Sequence, residues 1–285
     1  QLSGVMQAAA AATQRVFEIL DEPIEPTDQE TAELPADVQG KVEFKDVSFS
    51  YDPAKPLIRD LSFTANPADK IAIVGPTCAG KTTMINLLMR FYDVSSGQIL
   101  IDGVDTRQLS KQTVRSLFGM VLQDAWLYHT TITENIRFGK LDATEYEVVD
   151  AAKTANVDHF IHTLPNGYQM AIDEEADNVS LGQKQLLTIA RAVIANPKIL
   201  ILDEATSSVD TRLESLLQKA MEKVMQGRTS FVIAHRLSTI RDANLILVMD
   251  HGQIVEKGTH DDLLAANGVY AKLYNSQFAE TKLNA

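Results

Sequence analysis

The chain has 285 residues, 45% hydrophobic and 22% charged, an ordinary globular composition for one or two domains. Its net charge of −12 argues against a nucleic-acid-binding surface, and a single cysteine excludes an internal disulfide framework and suits a reducing cytosol. No apolar run approaches the ~18 residues of a membrane-span candidate and no signal segment is visible, so the sequence as given is expected to be soluble.

In chain order, residues 1 to 20 are Ala-rich and helical in pattern, with Leu2, Val5, Met6, Ala9, Val16, Ile19 and Leu20 as apolar positions. Asp21-Glu22-Pro23 ends that helix, and an acidic, Pro-containing linker runs to about Gln39. The helix has little to pack against within a domain that starts after the linker. It reads as the tail of a unit lying upstream, the alternative being an independent amphipathic helix. Val42 to Tyr51 alternates apolar and polar residues, Asp52-Pro53 turns the chain, and Leu57 to Ala65 returns as a second strand. Gly97 to Ile101, turning at Asp102-Gly103, adds another, which predicts an antiparallel sheet. Tyr51, at a strand end, is either a core or edge aromatic or a ring that stacks on a base.

The stretch from Lys70 to Phe91 is the most informative. Ile71 to Val74 predicts a buried parallel strand. Gly75-Pro76-Thr77-Cys78-Ala79-Gly80-Lys81-Thr82 then fits the G-x-x-x-x-G-K-[ST] phosphate-binding loop. Met84, Leu87, Leu88 and Phe91 recur at helical spacing, so a helix opens as the loop closes. Backbone N–H groups at a helix N-terminus, with the positive end of its dipole, suit a polyphosphate. Lys81 would reach the outer phosphates and Thr82 would ligate Mg²⁺, with Thr83 beside them as a further binding position. A nucleoside triphosphate is the expected ligand. Cys78 stands where many such loops carry another glycine, a residue that tolerates positive φ; it is a tolerated variant or a functional thiol.

Ser116 to Gln123 predicts a short strand, and Ile132 to Tyr168 a helical insertion with a clear helix over Ala143 to Ala155. A further helix starts at Asn178-Val179-Ser180-Leu181-Gly182-Gln183 and stops at Asn196-Pro197. Its Ser and Gly could cap their own helix or present N–H groups to a phosphate. Lys198 to Leu202 is an apolar strand ending in Asp203 and Glu204, where Asp203 is the metal-side carboxylate and Glu204 the candidate to polarise an attacking water. Phe231 to Ala234 is one more buried strand. Its end places His235 where open α/β sheets bind ligands, although a lone histidine is more often structural. Leu245 to Met249 and Gln253 to Val255 form a hairpin, and a single helix is expected from Asp261 to Gln277.

These residues resemble the nucleotide-binding domain of ATP-binding cassette (ABC) transporters of the exporter type, over about Val42 to Gln277. Tyr51, Gly75 to Thr82, Gln123, Ser180 to Gln183, Asp203-Glu204, Ser207-Ser208-Val209-Asp210 and His235 occur in the family's order. The resemblance implies an α/β fold: a P-loop NTPase core with a mostly parallel sheet, an antiparallel β subdomain and an inserted α-helical subdomain. It implies a stub of the last transmembrane helix over 1–20, a linker over 21–39, the ATPase domain over 40–278 with its helical part at about 124–194, and a tail over 279–285. The implied ligands are ATP and Mg²⁺, with Thr82, Gln123 and Asp203 on the metal and Lys81, Glu204 and His235 in catalysis. Tyr51 would stack on adenine, Gln123 would relay nucleotide state, and Asp210 would sit at a dimer interface. Ser180, Gly182 and Gln183 would contact the ATP held by a second nucleotide-binding domain in a head-to-tail dimer. Trp126, Leu127 and Tyr128 would neighbour the transmembrane domain of the same chain, at the cytoplasmic face of the cell membrane. The implied activity is ATP-driven efflux of drugs, lipids or peptides.

One departure stands out. The family's LSGGQ is written here Val179-Ser180-Leu181-Gly182-Gln183, with Leu181 in place of a glycine. An intact Glu204 beside an altered signature resembles the catalytically competent half of a bacterial heterodimeric exporter, whose partner would carry the degenerate site. A soluble ABC ATPase acting on ribosomes or DNA is disfavoured by the acidic charge, and a non-hydrolysing binder by intact Lys81, Asp203, Glu204 and His235.

Overall fold

The computed structural model describes residues 2–24, 28, 30–122, 125–173, 178–204, 211–234 and 240–283. Helix α1 (Leu2–Leu20) buries none of its residues, and no described helix is long and apolar enough to cross a membrane. After the linker come strands β1 (Val42–Phe49) and β2 (Ile58–Ala65), then β3 (Lys70–Val74), which runs through the phosphate loop into helix α2 (Lys81–Leu88). Strands β4 (Ser96–Ile101) and β5 (Val104–Asp105), helix α3 (Lys111–Ser116) and strand β6 (Phe118–Val121) follow. Four helices come next: α4 (Ile132–Arg137), α5 (Glu145–Thr154), α6 (Asp158–Thr163) and α7 (Leu181–Ala195). The chain then alternates through β7 (Ile199–Glu204), α8 (Thr211–Met225) and β8 (Thr229–Ala234) to the hairpin β9 (Leu245–Asp250) and β10 (Gln253–Gly258), ending in α9 (His260–Ala265) and α10 (Val269–Leu283).

Two sheets organise these elements. An antiparallel sheet has the order β2-β1-β4-β5, and a six-stranded sheet the order β10-β9-β3-β8-β7-β6, parallel except for β10. The parallel strands are buried on both faces, which is why they read as unbroken apolar runs rather than alternations. Side chains alternate across β3: Ile71 and Ile73 join Phe44, Phe63, Leu87, Leu88 and Phe231 between the two sheets, while Ala72 and Val74 join Ile240, Leu263 and Tyr270 beneath the last helices. Along β7 the same alternation sends Ile199 and Ile201 to the first cluster. Leu200 and Leu202 go to a third, built with α4 to α8.

The predicted hairpins, the central strand, the helical insertion and the capped helix at Ser180 all form. The single terminal helix does not. Asn267 takes a left-handed φ of 53° and interrupts it. The carboxylate of Glu256, on β10, then accepts hydrogen bonds from the N–H groups of Val269 and Tyr270, capping α10 from another element. Phe91 also departs from its predicted helical stripe. Arg90 turns left-handed (φ 53°) just beyond α2, and Phe91 lies exposed under the Arg115 guanidinium.

Phe231 sits with no exposure between the sheets and meets Phe63 edge-on. Phe231→Ala is expected to lower the unfolding free energy by about 3–5 kcal/mol, read from urea denaturation, because both the transfer term and a residual cavity count against it.

Candidate nucleotide-binding site

The site forms at the C-terminal edge of the parallel sheet, where open α/β sheets leave a crevice. The strand registers place its parts. Ile73 of β3 lies beside Ile233 of β8, and Ile233 beside Asp203 of β7. Asp203 is therefore two strands, about 10 Å, from the end of the strand that feeds the phosphate loop. A cleft of about 480 Å³ results, lined by Leu57, Ile233, Asp203 and the loop itself from Thr77 to Thr83.

The loop's shape follows from its backbone. Gly75 and Gly80 adopt φ of 150° and 100°, and a Cβ on either would meet Met249 O at 2.1 Å or Ile58 Cδ1 at 2.9 Å. Both positions therefore require glycine. Cys78 occupies the left-handed region too (φ 65°) with its side chain exposed, so the sequence expectation of a glycine-like conformation at this position is met by a residue that bears a Cβ. Ala79 N–H donates to Pro76 O (3.2 Å) and Met84 N–H to Gly80 O (2.9 Å), closing the loop onto α2. Lys81 Nζ donates to Gly75 O (2.7 Å) and Pro76 O (2.8 Å), which holds the ammonium within the loop. Burial pulls the Lys81 pKa down, and the Asp203 carboxylate opposes that shift.

Tyr51 stands beside the loop. Its ring is 51% exposed, it meets Phe49 and Tyr92 edge-on with centroids 4.9 Å away in each case, and its hydroxyl lies 3.4 Å from Thr83 Oγ1. The core reading of Tyr51 is thereby removed: it is an exposed aromatic wall tied to the loop's helix. Tyr92 completes that wall and was not singled out by sequence reasoning; the only cue was an aromatic pair, Phe91-Tyr92, at the end of α2.

The signature segment lies elsewhere. Ser180 and Gln183 form a reciprocal capping box, with Gln183 N–H donating to Ser180 Oγ (3.4 Å) and Ser180 N–H to Gln183 Oε1 (2.8 Å). Gly182 is buried and Leu181 is 46% exposed. None of these residues lines the cleft holding Lys81 and Asp203, so within one chain the two motifs are not brought together. Gln123, Ser207 to Asp210 and His235 lie outside the described residues, as does the side chain of Glu204, whose backbone ends β7 next to Ala234.

Past the Gln123 position, Trp126 is 61% exposed whereas Leu127 is 5% exposed and belongs to the helical core. Leu127 thus cannot present itself to a neighbouring domain, which corrects that expectation. Trp126, Tyr128 and Phe138 form an aromatic group braced by Arg191 of α7, which donates to Trp126 O (3.2 Å) and Asn135 O (2.9 Å) and lies over the Tyr128 and Phe138 rings.

A phosphate loop at the head of a buried helix, faced by a strand-end carboxylate, with an antiparallel sheet on one side and a helical layer on the other, defines a P-loop nucleotide-binding ATPase. The ABC transporter family profile matches residues 58–207, more than half of the chain, and the chain belongs to that family as an ATP-binding ATPase domain. It is 56% identical over 276 residues to the fatty acid ABC transporter ATP-binding/permease protein of Mycobacterium bovis, covering 96% of this chain and 43% of that protein. It is 47% identical over 279 residues to the ATP-dependent lipid A-core flippase of Methylobacillus flagellatus, covering 97% of this chain and 48% of that one. Among solved structures, a bacterial Atm1-family ABC exporter with ATP bound matches with a TM-score of 0.85 and 40% identity, over 95% of this chain and 47% of the other. The chain spans less than half the length of these relatives.

Gly80→Ala is expected to weaken binding of a fluorescent ATP analogue about tenfold, since a Cβ at this φ costs on the order of 1–2 kcal/mol before the Ile58 clash is counted. Unchanged affinity would show that binding does not use this loop conformation.

Proposed function

We propose that this chain is the ATP-hydrolysing motor of an ABC exporter, acting at the cytoplasmic face of a membrane on behalf of a fused transmembrane domain. The observation that carries this reading is the cleft in which Lys81, Thr82 and Thr83 at the head of α2 face Asp203 at the end of β7. Gly75, Pro76, Thr77, Cys78, Ala79 and Gly80 wrap the phosphates, with backbone N–H groups supplied by the loop's non-proline residues, and the exposed face of Tyr51 takes the adenine. A divalent ion suits the donor set: one hydroxyl (Thr82) and one carboxylate (Asp203), joined by Gln123, leave room for the waters and phosphate oxygens that Mg²⁺ retains. When bound, Mg²⁺ neutralises charge on the outer phosphates.

Glu204 follows Asp203 on the same strand and polarises the water that attacks the γ-phosphorus in line, the bond to the β–γ bridging oxygen breaks and ADP leaves, while Lys81 and His235 stabilise charge on the transferring group. The capping box at Ser180, remote from the cleft of its own chain, supports a site completed in trans. Ser180, Gly182 and Gln183 then serve the ATP of a second nucleotide-binding domain in a head-to-tail dimer, with Asp210 at the interface. Leu181, exposed where the family has glycine, supports a partner that is a different polypeptide with a degenerate site. We assign 1–20 to the end of a transmembrane helix, 21–39 to a linker and 40–278 to the ATPase domain, its helical part at about 124–194. The relatives named for fatty acid and lipid A-core transport support an amphipathic, lipid-like cargo, within the wider class of drugs, lipids or peptides.

Glu204→Gln is expected to leave ATP binding intact and lower steady-state turnover of the assembled transporter by at least about 10²–10⁴-fold. Unchanged turnover would remove Glu204 from catalysis. A fully active homodimer of the intact transporter would overturn the heterodimer reading while leaving the ATPase reading in place.

A further inference from the structure

The linker is bound to the ATPase body at a defined place. Thr31 and Ala32 N–H groups donate to Gln108 O (2.9 and 3.2 Å). Glu30 Oε1 accepts from Ser110 N–H (3.2 Å) and from Thr113 Oγ1 (2.6 Å). Asp28 divides its carboxylate: Oδ2 accepts the Lys111 N–H at the start of α3 (2.6 Å), and Oδ1 lies 3.2 Å from Nη2 of Arg90.

Arg90 is the unusual member. It directly follows the last turn of α2, is only 8% exposed, and takes a left-handed φ of 53°. Its Nη1 donates to Thr106 O and Leu109 O, and its Nε to Asp93 Oδ1 (2.9 Å). Its own carbonyl accepts from Arg115 Nη2 (3.1 Å). Asp28 is thus the linker's contribution to a buried guanidinium whose other partners belong to the body. Removing the Asp28 charge leaves the exposed Asp93 as the remaining carboxylate on this shielded guanidinium, which weakens the hold on Arg90 and lets it shift. A shift of Arg90 moves the foot of α2, a packed rod with Thr83, Met84, Ile85, Leu87 and Leu88 buried. The head of the same rod, roughly 13 Å away, carries Lys81 and Thr82.

We propose that Asp28, acting through Arg90, is a positioning residue for the phosphate loop, so that linker docking and nucleotide binding strengthen each other through α2. This rests on the ATP-site reading of the cleft. Coupling between two sites is reciprocal: if docking raises nucleotide affinity by some factor, nucleotide raises docking by the same factor. A purely structural strap would raise melting temperature without either effect.

The test uses the whole 285-residue chain and its D28N and D28E variants, titrated with a non-hydrolysable ATP analogue and Mg²⁺ and followed by amide hydrogen exchange. In the wild type, nucleotide should slow exchange at Thr31, Ala32, Ser110 and Lys111. D28N should weaken nucleotide binding at least about fivefold and abolish that slowing, while D28E, which keeps the charge, restores most of both. In steady-state ATPase of the assembled transporter, D28N should raise KM with little change in kcat. Nucleotide affinity that is equal in wild type and D28N, or a linker whose exchange ignores nucleotide, overturns the proposal. Absence of nucleotide binding by the wild type would instead defeat the ATP-site reading itself.

Discussion

The structure depends on one constraint, that β3 be covered on both faces. Ile71 and Ile73 close against the antiparallel sheet and α2, and Ala72 and Val74 against the C-terminal helices. A strand so enclosed leaves only its ends for function. The chain leaves its C-terminal end through a loop that turns left-handed at Cys78 and Gly80, and enters a helix whose first N–H groups have no intrahelical partner. Burying the strand therefore aims a set of orphan donors at the one open edge of the sheet. The neighbouring strands, in register through Ile73, Ile233 and Asp203, bring a carboxylate to the same edge.

The same economy explains why the signature segment lies away from the cleft. The hydroxyl of Ser180 and the amide of Gln183 are engaged in capping α7, a helix whose body belongs to the layer packed on Leu200 and Leu202. That layer also contains α4, held to α7 by Arg191 and Asn135, so the signature helix and the Trp126–Tyr128–Phe138 group are joined by direct hydrogen bonds. Arg90 plays a comparable part between the linker and α2. In both places a guanidinium, buried at Arg90 and half-buried at Arg191, satisfies several carbonyls at once, which suits its fan of donors and would not suit lysine.

The departures from sequence expectation have a common origin. Helical spacing carried the terminal helix through Asn267, but Glu256, distant in sequence, caps a fresh helix at Val269. Spacing likewise placed Phe91 on the buried stripe of α2, yet Arg90 ends the helix to meet carbonyls at Thr106 and Leu109. Leu127 lies in sequence between two aromatics, the exposed Trp126 and the half-buried Tyr128, whereas the helical core claims it. In each case a long-range polar or apolar partner overrode a local pattern, and no local pattern contains that partner.

By itself the sequence determined the local chemistry: the buried strand, the phosphate loop and its helix, the helix start at Ser180, and the acid pair after an apolar strand. These are legible because strand burial, helix capping and phosphate binding each impose residue types at fixed short spacings. Only the tertiary structure decided that Asp203 faces Lys81 while Ser180 does not, that Tyr51 and Tyr92 make one exposed wall beside Thr83, and that the acidic linker grips Arg90. Those outcomes depend on strand order, register and helix packing, which are set by the burial of the whole apolar set at once and not by any stretch of it.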